Sequence, residues 1–449
     1  MTVYSKITQH VVYPLGDAVL RTNVMKYMDA LERSQWWSLD ELVEMQNTKL
    51  RALVAHAYRN VPYYRRVMDE RGLSVAEIRT VDDLPRLPVL TKDLVRQNYA
   101  DLKARGFRRW HPSLETSSGS TGKPLQYYTT MDARSIGWAA TFRSWKWAGY
   151  RLGDKRVTMA ASALLPERPS VAQRLRWFAE RNVPLSAVHL TRETMASHAR
   201  RIEQYRPRFI RGYPTALYLF ADYLRSQGRC LQGVKAAFTT AEMLPLSYRR
   251  TIENQFGCQV QDQYGCIEGA AKAIECASHQ GYHIAAELTK MEMVDSDGKA
   301  AGPGKPADIL ATDLHNYAMP FIRYAVGDRA VLSESRCSCG RGLPVIKSLE
   351  GRTTDVIRFD NGVALSGVAI TGIFSFCQVK QFQVVQTAGS RLLVKVVKGD
   401  GYTQTDTDLY TGLLRSHAGQ DVEIAVEYVD DIPTTKAGKH RFVISSPAA

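Results

Sequence analysis

From residue 115 to about residue 330, short apolar bursts alternate with amphipathic runs, and this alternation constrains the chain more than any other feature. "RVTMAA", "RFIRGY", "VKAAFTTA" and "CQVQDQYG" have the length and content of strands buried on both faces. Between them, "TALYLFADYLRSQG" and "PLSYRRTIENQFG" carry helical spacing and stop at Gly, which ends a helix without steric penalty. Strands alternating with helices predict an α/β fold whose sheets are mainly parallel. Residues 283–335 are richer in strand patterns, with turn signals in "DSDGKAAGPGKPAD".

The flanks differ from this middle section. Residues 16–110 read as mainly helical: Leu42, Val43, Met45, Leu50, Leu53, Val54 and Ala57 fall largely on one helical stripe. Further on, Pro-marked turns lead to a short helix that Thr91 or Asp93 is placed to cap. From about residue 357 a new pattern of strands and two helices predicts a small α+β unit. With the boundary at Gly351-Arg352, the chain divides into a large N-terminal domain (1–350, of which 1–110 is mainly helical) and a small C-terminal domain (351–449).

The 449 residues include 59 basic and 45 acidic ones, a net charge of +14 that favours anionic partners such as nucleotides or CoA. No recognition helix or base-stacking motif accompanies the charge, so nucleic acid is not expected as a partner. No run of 18 apolar residues predicts a membrane span, and the N-terminus lacks signal-peptide features, which points to the cytoplasm. Seven Cys, an odd number, argue against a disulfide framework.

"ETSSGSTGKPLQYY" (115–128) is the most unusual stretch. Gly119 and Gly122 let backbone N–H groups approach an anion, Ser117, Ser118, Ser120 and Thr121 add hydroxyls, and Lys123 adds charge. The spacing is not that of a Walker loop, which needs Gly at 117 and Ser or Thr at 124; these positions hold Ser117 and Pro124. A flexible Gly/Ser linker is the plain alternative, opposed by the strand pattern "LQYYTT" that follows at once.

"SSGSTGKP" resembles the phosphate loop of the AMP-forming adenylating enzymes, the acyl-CoA ligase superfamily. The nearest branch is phenylacetate-CoA ligase-like, with members associated with capsular polysaccharide clusters. The resemblance runs from about residue 35 to the C-terminus, with "LPVLTKDLVRQN", "TTAEMLP", "QDQYGCIEGA", "MPFIRYAVGD", "EGRTTDVIRFDNG" and "IPTTKAGKHRFVIS" in order. It implies a large N-terminal domain and a small mobile C-terminal one. ATP would be held by the Ser/Gly stretch, by Ala241 and Glu242 at the adenine, by Tyr264 and Gly265, by Asp328 on the ribose and by Arg352 at the hinge. Glu268 would hold Mg²⁺, and Lys439 would be the catalytic cation. Ile267 and Thr354 depart from the pattern, at positions usually filled by a hydroxyl and by an acidic residue or Lys. Gly212 and Tyr213 are carried over as substrate-pocket residues, and Trp138, Trp145 and Trp147 suit either an aryl-acid pocket or plain core.

Cys337-x-Cys339 resembles half a zinc knuckle. The branch implies that Cys276 and His283 complete a closed structural zinc site, with His279 as a substitute for His283; reduced core thiols are the alternative. The reaction implied is activation of a carboxylic acid to acyl-AMP, followed by acyl transfer to CoA. An amide- or ester-forming ligase, or a non-catalytic nucleotide-binding relative, are the other expectations.

Overall fold

The computed structural model describes residues 3–117, 125–160, 165, 169–187, 190–266, 268–352, 356–374, 376–435 and 439–445. Helix α1 (Leu39–Asn60) starts at a capping box, in which the Ser38 hydroxyl accepts from the Glu41 N–H and the Glu41 carboxylate accepts from the Ser38 N–H. Its stripe of Leu42, Leu50, Leu53, Val54 and Ala57 is buried. At the later helix Lys92–Gln97 it is Thr91, not Asp93, that caps, accepting from the Leu94 N–H at 3.2 Å.

A hairpin of β1 (Ser113–Thr116) and β2 (Gln126–Thr129) brackets the Ser/Gly stretch and leads directly into α2 (Met131–Trp147). An eleven-stranded sheet follows. Its strands are β3 (Arg156–Ala160), β4 (Asn182–Ser186), β5 (Phe209–Gly212), β6 (Ala236–Thr240), β7 (Gln259–Cys266), β8 (Ala271–Glu275), β9 (Tyr282–Ile284), β10 (Thr289–Val294), β11 (Pro306–Asp313), β12 (Tyr324–Leu332) and β13 (Val345–Arg352). The spatial order is β10-β11-β12-β13-β9-β8-β7-β6-β5-β3-β4. The parallel expectation holds for β3 to β7, where helical crossovers carry the chain back: α3 (Val171–Ala179), Arg192–Tyr205, α4 (Pro214–Ser226) and α5 (Leu246–Phe256). From β7 to β10 along that order every pairing is antiparallel, because no helix intervenes to make a crossover.

Helix α2 covers one face of the parallel half: Trp145 stacks on Phe238 of β6 at 4.9 Å, beside Phe209 of β5. Helices α4 and α5 cover the other face, with Phe220 and Phe256 buried against Ile210 and Val260. The tail folds as the hairpin β14 (Val356–Arg358) and β15 (Ala364–Ser366), then α6 (Gly367–Phe374), β16 (Val379–Ala388), β17 (Arg391–Lys398), α7 (Gln404–Ala418), β18 (Glu423–Tyr428) and β19 (Val443–Ile444). Its four-stranded sheet runs β18-β17-β16-β19. Phe374, Phe382 and Tyr410 stack at its centre, and Phe442 lies 5.9 Å from Tyr248 of α5, so the tail packs on the large sheet's helical layer. Among the described residues, no helix is long and apolar enough to cross a membrane.

Candidate active site

The register of β12 against β13 places Asp328 opposite Arg352. The Arg352 Nε lies 3.6 Å from Asp328 Oδ1, and the Tyr264 hydroxyl donates to Asp328 Oδ2 at 2.8 Å. Burial pushes the Asp328 carboxyl up, opposed by Arg352, the Tyr264 hydrogen bond and Lys92. Glu268 sits in the turn after β7, near enough to influence both Asp328 and Lys439. Gly265 is the register partner of Lys272 on β8.

Lys439 is delivered by a closed loop. The Lys439 N–H donates to Thr435 Oγ1 at 3.1 Å, and the Thr435 N–H donates to the Lys439 carbonyl at 2.8 Å. Burial pushes the Lys439 ammonium down and Arg352 adds to the shift, while Glu242, Glu268 and Asp328 pull it back. An ammonium from the tail therefore sits in the field of three carboxylates of the large sheet. The next residue fixes this docking: the His440 N–H donates to Glu242 Oε1 at 2.8 Å, and Glu242 Oε2 accepts from the Thr215 N–H at the start of α4 at 3.1 Å. Both oxygens of Glu242 are thus engaged by backbone. Ala241, before it, has a φ of 75°, a left-handed conformation uncommon for a residue with a side chain.

The Ser/Gly stretch is closed at its base, where the Ser117 N–H donates to the Leu125 carbonyl at 2.8 Å and the Leu125 N–H donates to Ser117 Oγ at 3.1 Å. Ser118, Gly119, Ser120, Thr121, Gly122, Lys123, Ile267 and Thr354 lie outside the described residues. Tyr213 is 0% exposed and belongs to the core beside α4; Trp145 is core in the same way. Gly212 answers to packing, since a Cβ there would stand 2.6 Å from the Met159 carbonyl oxygen and 2.8 Å from Leu217 Cδ2.

The four sequence-singled thiol and imidazole groups do meet. Ligand atoms of Cys276, His283, Cys337 and Cys339 all lie within 4.8 Å of one another. Cys276 Sγ is 3.6 Å from Cys337 Sγ, and Cys339 Sγ is 3.3 Å from His283 Nε2. A tetrahedral zinc with three thiolates and one imidazole would set these spacings near ~3.8 and ~3.5 Å. Burial and Arg341 push His283 down to about 4, leaving a neutral imidazole. His279 is turned elsewhere, 3.5 Å from Glu275 and 3.4 Å from Arg249. Two further charged residues, Arg211 and Lys272, belong to no motif; Arg211 is the one charge of β5, whereas Lys272 shares β8 with Glu275.

A tail lysine thus stands among Glu242, Glu268 and Asp328 of the large domain. The structure aligns with 2-hydroxyisobutyryl-CoA ligase, in the postadenylation state in complex with R3-HIB-AMP, at a TM-score of 0.77 over 92% of each chain with 20% identity. Against the same ligase in the thioesterification state the TM-score is 0.61, over 92% of this chain and 91% of that one with 19% identity. The chain has the adenylate-forming CoA ligase fold. By sequence it is 28% identical to the phenylacetate-coenzyme A ligase of Thermus thermophilus over 324 residues, 71% of this chain and 72% of that one. It is 25% identical to Protein CapK of Staphylococcus aureus over 427 residues, 91% of this chain and 90% of that one. Residues 359–446 match the family model of the CapK C-terminal domain. The chain's homologues are thus the phenylacetate-CoA ligases and CapK.

Proposed function

We propose that this chain uses ATP to activate a carboxylic acid as acyl-AMP and then passes the acyl group to the thiol of CoA. A carboxylate oxygen bonds to the α-phosphorus, the bond to the β-phosphate bridging oxygen breaks, and pyrophosphate leaves. The CoA thiolate then attacks the acyl carbon and AMP leaves. The observation that carries this reading is Lys439, placed by the Thr435 loop and the Glu242–His440 bond among Glu242, Glu268 and Asp328. Its ammonium offsets charge that builds on phosphoryl oxygens, and a well-placed donor of this kind is worth roughly 2.7–4 kcal/mol.

The remaining roles rest on the motif resemblance, supported by the contacts of the described residues. Asp328, half-buried and oriented by Tyr264 and Arg352, accepts from the ribose hydroxyls. Ala241, Glu242, Tyr264 and Gly265 surround the base, Glu242 through its backbone because its carboxylate is engaged. The stretch Ser117 to Lys123 takes the phosphates. Glu268 is a hard oxygen donor suited to Mg²⁺, which when bound would offset phosphate charge. The small domain, 351–449, turns about Arg352 between the two half-reactions. Cys276, His283, Cys337 and Cys339 hold a structural zinc, a closed four-ligand site with no open position for chemistry. The reaction is placed in the cytoplasm, where ATP and CoA are available.

A panel of carboxylic acids assayed for pyrophosphate release, with and without CoA, tests the proposal. Acid-dependent pyrophosphate and a thioester product are expected. Acid consumption without thioester would move the acceptor to an amine or hydroxyl. ATP binding without pyrophosphate release for any acid would contradict the reading.

A further inference from the structure

Half-buried beneath α2 are two cations without a carboxylate of their own among the described residues. Strand alternation turns Ile210 of β5 toward α4 and α5, and Phe209 and Arg211 toward α2. The Arg211 guanidinium stands 5.6 Å from the Trp138 ring and 5.5 Å from the Trp145 ring, and its buried Nε has no hydrogen-bond partner among the described residues. From β8, Lys272 reaches the same helix, its Nζ donating to the Gly137 carbonyl at 2.5 Å and to Thr141 Oγ1 at 2.7 Å. Both acceptors are neutral.

The other cations around α2 are matched. Arg143 pairs with Glu287 at 2.6 Å, while Arg156 and Arg176 share Glu180. Among the described residues, Arg143, Arg156, Arg176, Arg211 and Lys272 therefore divide two carboxylates, Glu287 held by Arg143 through one oxygen and Glu180 by Arg156 and Arg176. Burial, with Arg211 and Arg143 nearby, pushes Lys272 down to about 7. Strand β7 adds to this face: Val260 and Asp262 turn to the opposite side, toward Ile252 and Thr239, so Gln261 and Gln263 turn to α2. Gln263 Nε2 and Gln261 Oε1 are also buried without partners among the described residues. A buried charge or amide left unmatched is costly, and natural sequences retain such groups where a ligand completes them.

This wall adjoins the nucleotide residues. Arg211 directly precedes Gly212, and Lys272 faces Gly265 in register, next to Tyr264. We propose that the wall is the far end of the acid pocket, and that the substrate carries a second anionic group, a carboxylate or a phosphate-type oxyanion, held by Arg211 and Lys272. Gln263 supplies a further donor. This inference rests on the ligase reading and narrows it to dianionic acids.

The test measures pyrophosphate release with matched acids: glutarate against valerate, adipate against hexanoate, 4-carboxyphenylacetate against 4-methylphenylacetate, and 3-phosphonopropionate against butyrate. The dianionic member should have a kcat/KM roughly 10- to 100-fold higher, the range of a charge-assisted contact. Arg211→Met and Lys272→Met should each bring that ratio toward one. Arg211→Lys, which keeps the charge, should retain the preference and separates loss of recognition from loss of fold. The phosphonate arm tells which oxyanion is preferred. Equal or better use of the monoanions, or a ratio that neither Met variant moves, overturns the proposal. If no acid releases pyrophosphate, the ligase reading fails by itself. The pocket is then judged by thermal shift without ATP, where stabilisation by a dianion, lost in the Met variants, supports it, and no stabilisation overturns it.

Discussion

Lys272 makes a thermodynamic statement that depends on pH. Its folded pKa is near 7, against about 10.4 for an unperturbed Lys. Between those values the unfolded chain binds a proton that the folded chain has released, so this residue makes folding more favourable as pH rises from 7 toward 10.4. Below pH 7 the folded protein carries the desolvated charge, facing Arg211 and Arg143, and the penalty is largest. Thermal melts of Lys272→Met should therefore exceed the parent most at pH 6, with the gap narrowing by pH 10; a gap independent of pH would contradict a desolvated, unmatched ammonium. Gly212 gives a second residue-level outcome. Gly212→Ala drives a Cβ into the Met159 carbonyl, so urea unfolding should report a loss of about 1–3 kcal/mol. The motif residues were legible because their types and spacing are local. Arg211 and Lys272 were not: whether a strand's charge is matched depends on Glu180 and Glu287, which arrive from other elements.

At the scale of elements, Glu242 joins three of them: the turn after β6, the start of α4 and the loop before β19. Glu242→Ala leaves the Thr215 and His440 N–H groups without their acceptor, a loss of about 2 kcal/mol or more on urea unfolding. It should also slow adenylation, because Lys439 follows the His440 contact. The cluster of Cys276, His283, Cys337 and Cys339 brings the β8–β9 region against the β12–β13 connection, where the proposed zinc would clip them together. Purified protein should hold about one zinc per chain, and chelation or Cys337→Ser should lower Tm; metal analysis and melts with and without chelator check both. Most elements were readable from pattern: the α1 stripe, the Gly-terminated helices α4 and α5, and the tail. The antiparallel half of the sheet was less so, since a strand's own residues say little about its neighbour's direction. Which of His279 and His283 lies with the three thiols was likewise a matter of packing, which turns His279 to Glu275.

For the whole molecule, the tail sits with Lys439 turned to the large sheet, and the alignment is better with the postadenylation state of 2-hydroxyisobutyryl-CoA ligase than with its thioesterification state. In the proposed mechanism this is one of two working arrangements, with Lys439 needed in the first alone. The most direct measurement takes an acid that releases pyrophosphate and assays the two half-reactions of Lys439→Ala separately. Pyrophosphate formation should fall roughly 10²- to 10³-fold, while preformed acyl-AMP is still converted to thioester at close to the parent rate. Equal loss in both half-reactions, or no loss in the first, would contradict the account.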